Sequence, residues 1–205
     1  MSLATYLLYL GAVAVLVATP GPTMLMCVSN AINHGPRRAL ASGAGAIAAS
    51  FVIMAASALG LGALLAASEA AFTGLKVFGA IYLIWLGIMT FHSQAAPVSS
   101  MAPRQSRSFF VQGLLVGASN PKALIFFAAF FPQFIDASQP AAWQFAVLAF
   151  TFMAGDGLMM LLCTLGVGRI APLLRQHSAI RWINRTCGTF FALLGGMLLF
   201  VRRNA

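Results

Sequence analysis

The sequence predicts an all-α integral membrane protein with six transmembrane helices. Of its 205 residues, 60% are hydrophobic and only 7% are charged, and the mean hydropathy is +0.91. A water-soluble domain does not tolerate such a composition. An apolar helix of about 20 residues crosses the ~30 Å hydrocarbon core of a bilayer. Six runs reach that length: Leu3–Ile32, Ala39–Ala67, Phe72–Phe91, Phe109–Ile135, Ala142–Val167 and Ile180–Val201.

The first run is interrupted by Pro20-Gly21-Pro22, which breaks a helix at membrane depth. A proline lacks the N–H that would bond the carbonyl four residues earlier, so Pro20 frees the carbonyl of Leu16 and Pro22 that of Ala18. Open backbone groups at this depth are tolerated only against protein or a water-filled cavity. The break therefore predicts a cavity or a close helix neighbour.

Basic residues follow the first, third and fifth runs, which sets the predicted orientation. The opposite side carries Lys76 and the terminal Arg202 and Arg203, with the acids Glu69 and Asp136. The positive-inside rule then places both termini in the periplasm. The net charge of +9 is explained by the orientation of the chain in the membrane and does not indicate nucleic-acid binding. The cytoplasmic arginines are Arg37, Arg38, Arg104, Arg107, Arg169, Arg175, Arg181 and Arg185.

The chain contains a weak internal repeat. At an offset of 109 residues, five positions of the third run match five of the sixth, and the broken first run has a counterpart in the fourth, at Asn120-Pro121-Lys122. We expect a first repeat over residues 1–91, a cytoplasmic linker over 92–107 and a second repeat over 108–205, all in one membrane domain. The matched residues are Lys76, Gly79, Tyr82, Gly87 and Phe91 with Arg185, Gly188, Phe191, Gly196 and Phe200.

Three spans per half make this a 3+3 inverted repeat, because the second half enters the membrane in the opposite sense. Inverted repeats with broken helices 1 and 4 are typical of secondary transporters, which bind substrate near the midplane where the breaks meet. The alternative is a pair of proline kinks that neighbouring helices relieve. With nothing left for a soluble domain and no nucleophile or catalytic dyad, the sequence does not predict an enzyme.

Two charges lie at midplane depth, Lys122 in the fourth run and Asp156 in the fifth. An isolated charge there costs roughly 2.5–3.5 kcal/mol or more, so each needs a partner or water. They form either one ion pair that fixes helix register or a functional pair. A buried carboxylate can take up a proton on one side and release it on the other, or bind an ammonium group.

The two breaks offer complementary polarity for a zwitterion. Lys122 lies in the first turn of a resumed half-helix, where a substrate carboxylate can bind. Thr23 adds a hydroxyl at the equivalent turn, and freed carbonyls, including that of Gly117, can accept from an ammonium group. Asn120 either contacts substrate or caps the resumed helix. The predicted substrate-binding residues are Pro20, Gly21, Pro22, Thr23, Asn120, Pro121, Lys122 and Asp156, with Asp156 also carrying protons.

Other candidate groups receive structural interpretations. Cys27, Cys163 and Cys187 stand apart in apolar runs and are predicted to be buried thiols. The three histidines lie at predicted cytoplasmic ends, far apart and without a nearby carboxylate, so the sequence predicts no metal site or cofactor. Closely spaced glycines predict tight helix packing. Gly155 and Gly157 are also candidates for leaving room beside Asp156.

The residues around both breaks resemble the LysE/RhtB family of amino-acid exporters. The matching segments are Ala18–Pro22, His34–Leu40 and Ala44–Ala46 in the first half, and Gly113–Leu115, Asn120–Leu124 and Phe130–Phe134 in the second. The resemblance extends in length and hydropathy along the whole chain. It implies an inner-membrane exporter of amino acids or their derivatives, driven by the proton gradient, in which both breaks and the acid of span five matter.

The leading hypothesis is therefore a proton-coupled amino-acid exporter, with the single midplane acid offset by Lys122 favouring a neutral substrate over a dibasic one. An exporter of another solute, such as a metal cation, is the alternative, and a scaffold without transport activity is a third. The expected partners are the amino-acid substrate, protons and the bilayer. A homodimer is left possible, because several helices offer a small-residue stripe.

Overall fold

A computed structural model describes residues 1–67, 69–93, 108–135 and 139–200, and its α-helices follow the predicted runs closely. A π-helical turn at Phe126–Phe130 and a 3-10 turn at Phe131–Phe134 follow α6. The α-helices are α1 (Leu3–Ala18), α2 (Pro22–His34), α3 (Pro36–Ala67), α4 (Glu69–His92), α5 (Phe109–Ala118), α6 (Pro121–Ile125), α7 (Ala141–Leu165), α8 (Val167–Arg175) and α9 (His177–Phe200).

The two broken spans predicted from the prolines are confirmed as bent helix pairs. The axes of α1 and α2 differ by 47°, and those of α5 and the helix from Pro121 differ by 55°. Pro22 and Pro121 each begin the second helix of the pair, the position where a missing N–H costs nothing. Pro22 and Pro121 therefore start new helices, and the residue before each of them, Gly21 or Asn120, is extended.

Membrane-spanning length is clear for part of the predicted set. Among the described residues, Pro36–Gly60 and Ala141–Leu165 are each long and apolar enough to cross a bilayer, and the two bent pairs raise the count to as many as four. In α4 the apolar stretch is the shorter Val77–His92. The six-span inverted repeat stays a prediction. The predicted linker lies outside the described residues from position 94 to 107, as do Asp136 and the terminal arginines.

Glycines bring helix backbones into direct contact at two crossings, as their spacing predicted. A Cβ at Gly45 would collide with the carbonyl oxygen of Phe110, and one at Gly113 with that of Ser42, so α3 and α5 touch backbone to backbone. At the second crossing, α4 and α9 also touch backbone to backbone, because a Cβ at Gly188 would lie 2.5 Å from the Gly87 carbonyl oxygen. The helices that carry the predicted repeat of spans three and six thus pack against each other.

A hydrophobic core rich in aromatic rings joins α1, α7 and the segment after α6, with further residues from α3, α4 and α9. Tyr9 contacts Phe134 edge to face with ring centroids 5.0 Å apart, and its hydroxyl donates a 3.0 Å hydrogen bond to the Leu148 carbonyl. The π turn places successive phenylalanines of one segment into this core. The side chains of Phe126, Phe127, Phe131 and Phe134 are buried there.

Candidate functional site

The two helix breaks meet, and the Lys122 side chain joins them. Its ammonium donates a 2.7 Å hydrogen bond to the Leu16 carbonyl and a 2.9 Å bond to the Thr19 carbonyl at the end of α1. A Cβ on Gly21 would lie 3.3 Å from the same ammonium nitrogen, so the glycine allows this close approach. The carbonyl that Pro20 was predicted to free is therefore occupied by a charge from the other half of the chain.

Asn120 and the neighbouring backbone complete the second break. The Asn120 side-chain oxygen accepts a 3.1 Å hydrogen bond from the Lys122 N–H, so the capping interpretation is confirmed. The expectation for Gly117 is wrong, because its carbonyl already accepts the Asn120 N–H at 3.1 Å. A local turn provides a donor for that oxygen, and among the described residues the carbonyls that accept from the Lys122 ammonium belong to the break in the first span.

Asp156 faces Lys122 across a small cavity that both residues line. This placement differs from the direct ion pair that was one of the two predictions from the sequence. The described hydrogen bonds of the ammonium go to two carbonyls, while the opposite charges of Lys122 and Asp156 still attract each other. This cavity has a volume of about 30 Å³, enough for water but too small for an amino acid. Its polar lining is Thr19, Thr23, Ser50, Asn120, Lys122 and Asp156.

A larger cavity of about 310 Å³ lies on the other side of Lys122. Its volume is at the lower end of the range for small-molecule sites. One wall comes from both breaks, and the other from the end of α4 and the start of α9. It extends from the breaks toward the helix ends that carry Arg181 and Arg185. The lining residues outside the breaks are Leu25, Met89, Thr90, Ser93, Ile180 and Asn184.

Every residue predicted as part of the site borders one of these two cavities. Pro20, Gly21, Pro22 and Pro121 line the larger one, and Thr23 and Asp156 line the smaller one. Asn120 and Lys122, together with Thr19, line both. Lys122 thus stands at the partition between a chamber of substrate size and the carboxylate.

Sequence reasoning missed the second wall of the larger cavity. Thr90, Ser93 and Asn184 lie at the ends of long helices, and Asn184 donates a 3.1 Å hydrogen bond to the Ser93 carbonyl at the cavity edge. Their polarity within apolar runs was visible, but nothing in their spacing linked them to the breaks. The extra room expected at Gly155 and Gly157 is taken up by Val13 and Ile47, which a Cβ at either glycine would meet at 3.6 Å.

Metal-binding groups are not gathered in the described part of the chain, where no three His, Cys, Asp or Glu side chains come close enough to hold an ion. The three cysteines are buried and free, as predicted. Cys27 contacts Ser42, its sulfur lying 3.8 Å from the hydroxyl oxygen. The polar groups that line the two cavities between the described residues are thus amides, hydroxyls, carbonyls, the Lys122 ammonium and the Asp156 carboxylate.

Long apolar helices, two proline-broken helix pairs and a buried charged site at their meeting point define a helical membrane protein with a central polar cavity. Comparison with known proteins specifies the class further. The chain belongs to the family of LysE type translocators, whose model matches residues 14–202. The resemblance found at the two breaks is thereby confirmed, and members of this family are transporters.

Individual relatives are efflux proteins or membrane proteins. The chain is 35% identical over 196 residues to the homoserine/homoserine lactone efflux protein of Salmonella typhimurium, covering 95% of both chains. It is 30% identical over 151 residues to the leucine efflux protein of Klebsiella pneumoniae, covering 71% of both. An uncharacterized membrane protein of Vibrio cholerae is 30% identical over 203 residues, covering 97% of this chain and 98% of the relative. No solved structure matches the chain.

Proposed function

We propose that this protein is a secondary transporter that exports neutral amino acids or their derivatives from the cytoplasm, driven by the proton gradient. The observation that carries the proposal is the cavity of about 310 Å³ at the junction of the two broken helices, bordered by the Lys122 ammonium. Family membership supports export of amino acids as the general activity. The site residues, the coupling ion and the orientation are the parts that we add.

The substrate class follows from the charges around the cavity. An ammonium group has three donors, and the described hydrogen bonds of Lys122 use two of them. A third donor is left for a substrate carboxylate. Asp156 is the one midplane acid, and Lys122 offsets its charge, so a second cationic group on the substrate would have no carboxylate to balance it. This balance favours a substrate with a neutral side chain. The names of two relatives mention homoserine and leucine, and both of these amino acids have a neutral side chain.

The far wall of the larger cavity suits a short side chain of mixed character. Met89 and Ile180 offer apolar surface there, and Met89 adapts its shape because its side chain is unbranched. Thr90 and Asn184 offer hydrogen-bonding groups on the same wall. Leu25 adds apolar surface from α2. A small aliphatic or hydroxylated amino acid can satisfy such a surface.

The direction of transport is inferred from where the larger cavity extends. Its far wall lies beside helix ends rich in arginine, which the positive-inside rule assigns to the cytoplasm. The opposite half of the bundle is filled by the aromatic core around Tyr9 and Phe127. We infer that this conformation receives substrate from the cytoplasm in an inner membrane whose periplasmic side holds both termini. Asp156 lies on the other side of Lys122 from the larger cavity, and is then the group that exchanges protons with the periplasm.

The proposal is tested with proteoliposomes loaded with a mixture of the twenty common amino acids, acidified outside and sampled over time. We expect one or a few neutral amino acids to leave faster than from liposomes without protein. Thr90→Trp fills the larger cavity and should stop this efflux. The matched control is Thr186→Trp on the exposed face of α9, which should leave it unchanged.

Two results would contradict the proposal. One is the absence of any amino acid whose release depends on the protein. The other is a Thr90→Trp variant that exports as fast as the wild type, because the cavity would then not be the substrate site. Selective release of a dibasic amino acid would retain the exporter and overturn the proposed neutral substrate.

A further inference from the structure

Two carbonyl oxygens at the end of α1 form a binding position for a cation. Pro20 supplies no N–H for the Leu16 carbonyl, and the chain turns away before the Thr19 carbonyl can find a helical donor. The last carbonyls of a helix also carry the negative end of its dipole. The Lys122 ammonium fills this position at 2.7 and 2.9 Å. The bound group is a primary ammonium, as on the α-carbon of an amino acid.

We propose that the Leu16 and Thr19 carbonyls are a site for primary ammonium groups, which Lys122 occupies in the empty protein and the α-ammonium of the substrate occupies during transport. Lys122 is then a tethered substitute for the substrate. The first half of this proposal concerns the site alone, and only the second half rests on the proposed function.

The covalent geometry of an amino acid makes such an exchange possible in one step. Its carboxylate and ammonium groups are bonded to the same carbon, so a carboxylate that contacts the Lys122 ammonium brings the substrate ammonium close to the same two carbonyls. Lys122 borders the smaller cavity as well as the larger one. Once displaced, its ammonium stays between the substrate carboxylate and Asp156. No buried charge loses its partner in this exchange, which avoids the several kcal/mol that an unpaired buried ion costs.

The site is selective for ammonium over metal ions. An ion such as Ca²⁺ takes about 6–8 oxygen ligands, and two carbonyls with one nearby hydroxyl do not supply them. A primary ammonium group needs only acceptors for its N–H donors. A quaternary ammonium ion has the same charge but no N–H donor, and should therefore bind poorly.

The first experiment uses the purified full-length Lys122→Ala variant and its thermal unfolding midpoint in detergent. Methylammonium should raise the midpoint of this variant and saturate, at tens of millimolar or above (about 10 mM at the lowest), because a ligand of two non-hydrogen atoms binds weakly. It should have little effect on the wild type, whose site is filled. Sodium and tetramethylammonium at equal ionic strength should give no comparable rise. Arg185→Ala removes an exposed cation as a control and should not create a response to methylammonium.

The site is overturned if methylammonium does not stabilise Lys122→Ala, or if tetramethylammonium stabilises it equally. Should that variant fail to accumulate, Lys122→Ser is expressed and purified with methylammonium present throughout. Folded protein that is lost when methylammonium is dialysed away supports the site. Failure to accumulate even with methylammonium overturns it, because the added ion should replace the missing group.

The second experiment tests the substrate half on wild-type protein. The exported amino acid and its N,N,N-trimethyl derivative are compared as competitors of its efflux. The trimethyl derivative keeps both charges but has no N–H donor, and should compete at least tenfold more weakly. Equal competition overturns the exchange while leaving the ammonium site of the first experiment in place. If no amino acid is exported, the proposed function fails and the result with methylammonium still decides whether the site exists.

Discussion

The rings of Phe127 and Phe152 meet edge to face, with centroids 4.7 Å apart and an interplanar angle of 88°. Phe152 also lines the small cavity that contains Asp156. This contact therefore closes that cavity on the side of the aromatic core. Phe127 belongs to the π turn, and its carbonyl accepts a 2.6 Å hydrogen bond from the Ser57 hydroxyl. Such π turns occur frequently at functional sites, and here the turn places Phe127 against Phe152 at the edge of the Asp156 cavity.

Replacing Phe152 by alanine should open the Asp156 cavity toward the predicted periplasmic side. Ser50 lines the same cavity, so Ser50→Cys in a variant without other cysteines reports on access. We expect a membrane-impermeant thiol reagent added outside right-side-out vesicles to label this cysteine much faster when Phe152→Ala is present. The matched control is Phe150→Ala on the same helix, where the ring is 74% exposed and closes nothing.

Equal labelling rates for both alanine variants would show that Phe152 does not separate the Asp156 cavity from the predicted periplasmic side. Loss of a buried phenyl group also costs about 3–5 kcal/mol of stability. Labelling is therefore compared only for variants that elute as a single folded species. Faster labelling from the opposite side of the membrane would reverse the predicted orientation.

Asn30 links three helices, and its removal should weaken the bundle. Its side-chain nitrogen donates 3.0 Å hydrogen bonds to the Ser42 hydroxyl on α3 and to the side-chain oxygen of Gln112 on α5. Asn30→Ala removes both donors and leaves buried acceptors, at a cost of about 1–3 kcal/mol. At roughly 2–4 °C per kcal/mol for a chain of this size, the unfolding midpoint should fall by several degrees.

Asn33→Ala is the matched control for the Asn30 prediction. Asn33 is exposed on the same helix, and its side-chain nitrogen bonds only within α2, to the backbone and hydroxyl oxygens of Ser29. We expect a change in the midpoint of less than one third of that for Asn30→Ala. Equal losses would mean that the links to α3 and α5 contribute little.

Gly113→Ala should be the most damaging of the conservative glycine substitutions. The added methyl group would collide with the Ser42 carbonyl, and two packed backbones cannot move apart without opening the interface. We expect loss of folded protein in detergent, measured by size-exclusion chromatography. Gly196→Ala on α9 is the control, because nothing lies within 4 Å of its added Cβ. Alanine is the better helix former, so this control should be neutral or slightly stabilising.

The sequence predicted the elements and the breaks well, because both depend on local chemistry. Apolar runs mark helices, and a proline without an N–H marks where one ends, so α1 and α5 end within two or three residues of Pro20 and Pro121. It also predicted that the two breaks carry the polar residues of a site. These conclusions need no knowledge of which helix lies beside which.

The partners of the charges could not be predicted in the same way. The sequence offers Lys122 two candidate partners, Asp156 or a substrate carboxylate, and does not point to a backbone carbonyl. Choosing the Leu16 carbonyl requires the distance between residues 106 positions apart in the chain. The positions of Asn184 and Thr90 in the cavity wall could not be predicted for the same reason, since these residues reach the breaks through the packing of α4 and α9. Three-dimensional contact, and not residue type, decides these roles.

Asp156→Asn tests the proposed coupling to protons. The amide keeps the size of the carboxylate but cannot exchange a proton, so efflux driven by a pH gradient should fall to the level of liposomes without protein. Exchange of labelled for unlabelled substrate at equal pH should persist, because the cavity and Lys122 remain. Glu69→Gln removes a carboxylate from the predicted periplasmic end of α4 and serves as the matched control, with unchanged efflux. Gradient-driven efflux that survives in Asp156→Asn would assign the proton to another group or the driving force to another ion.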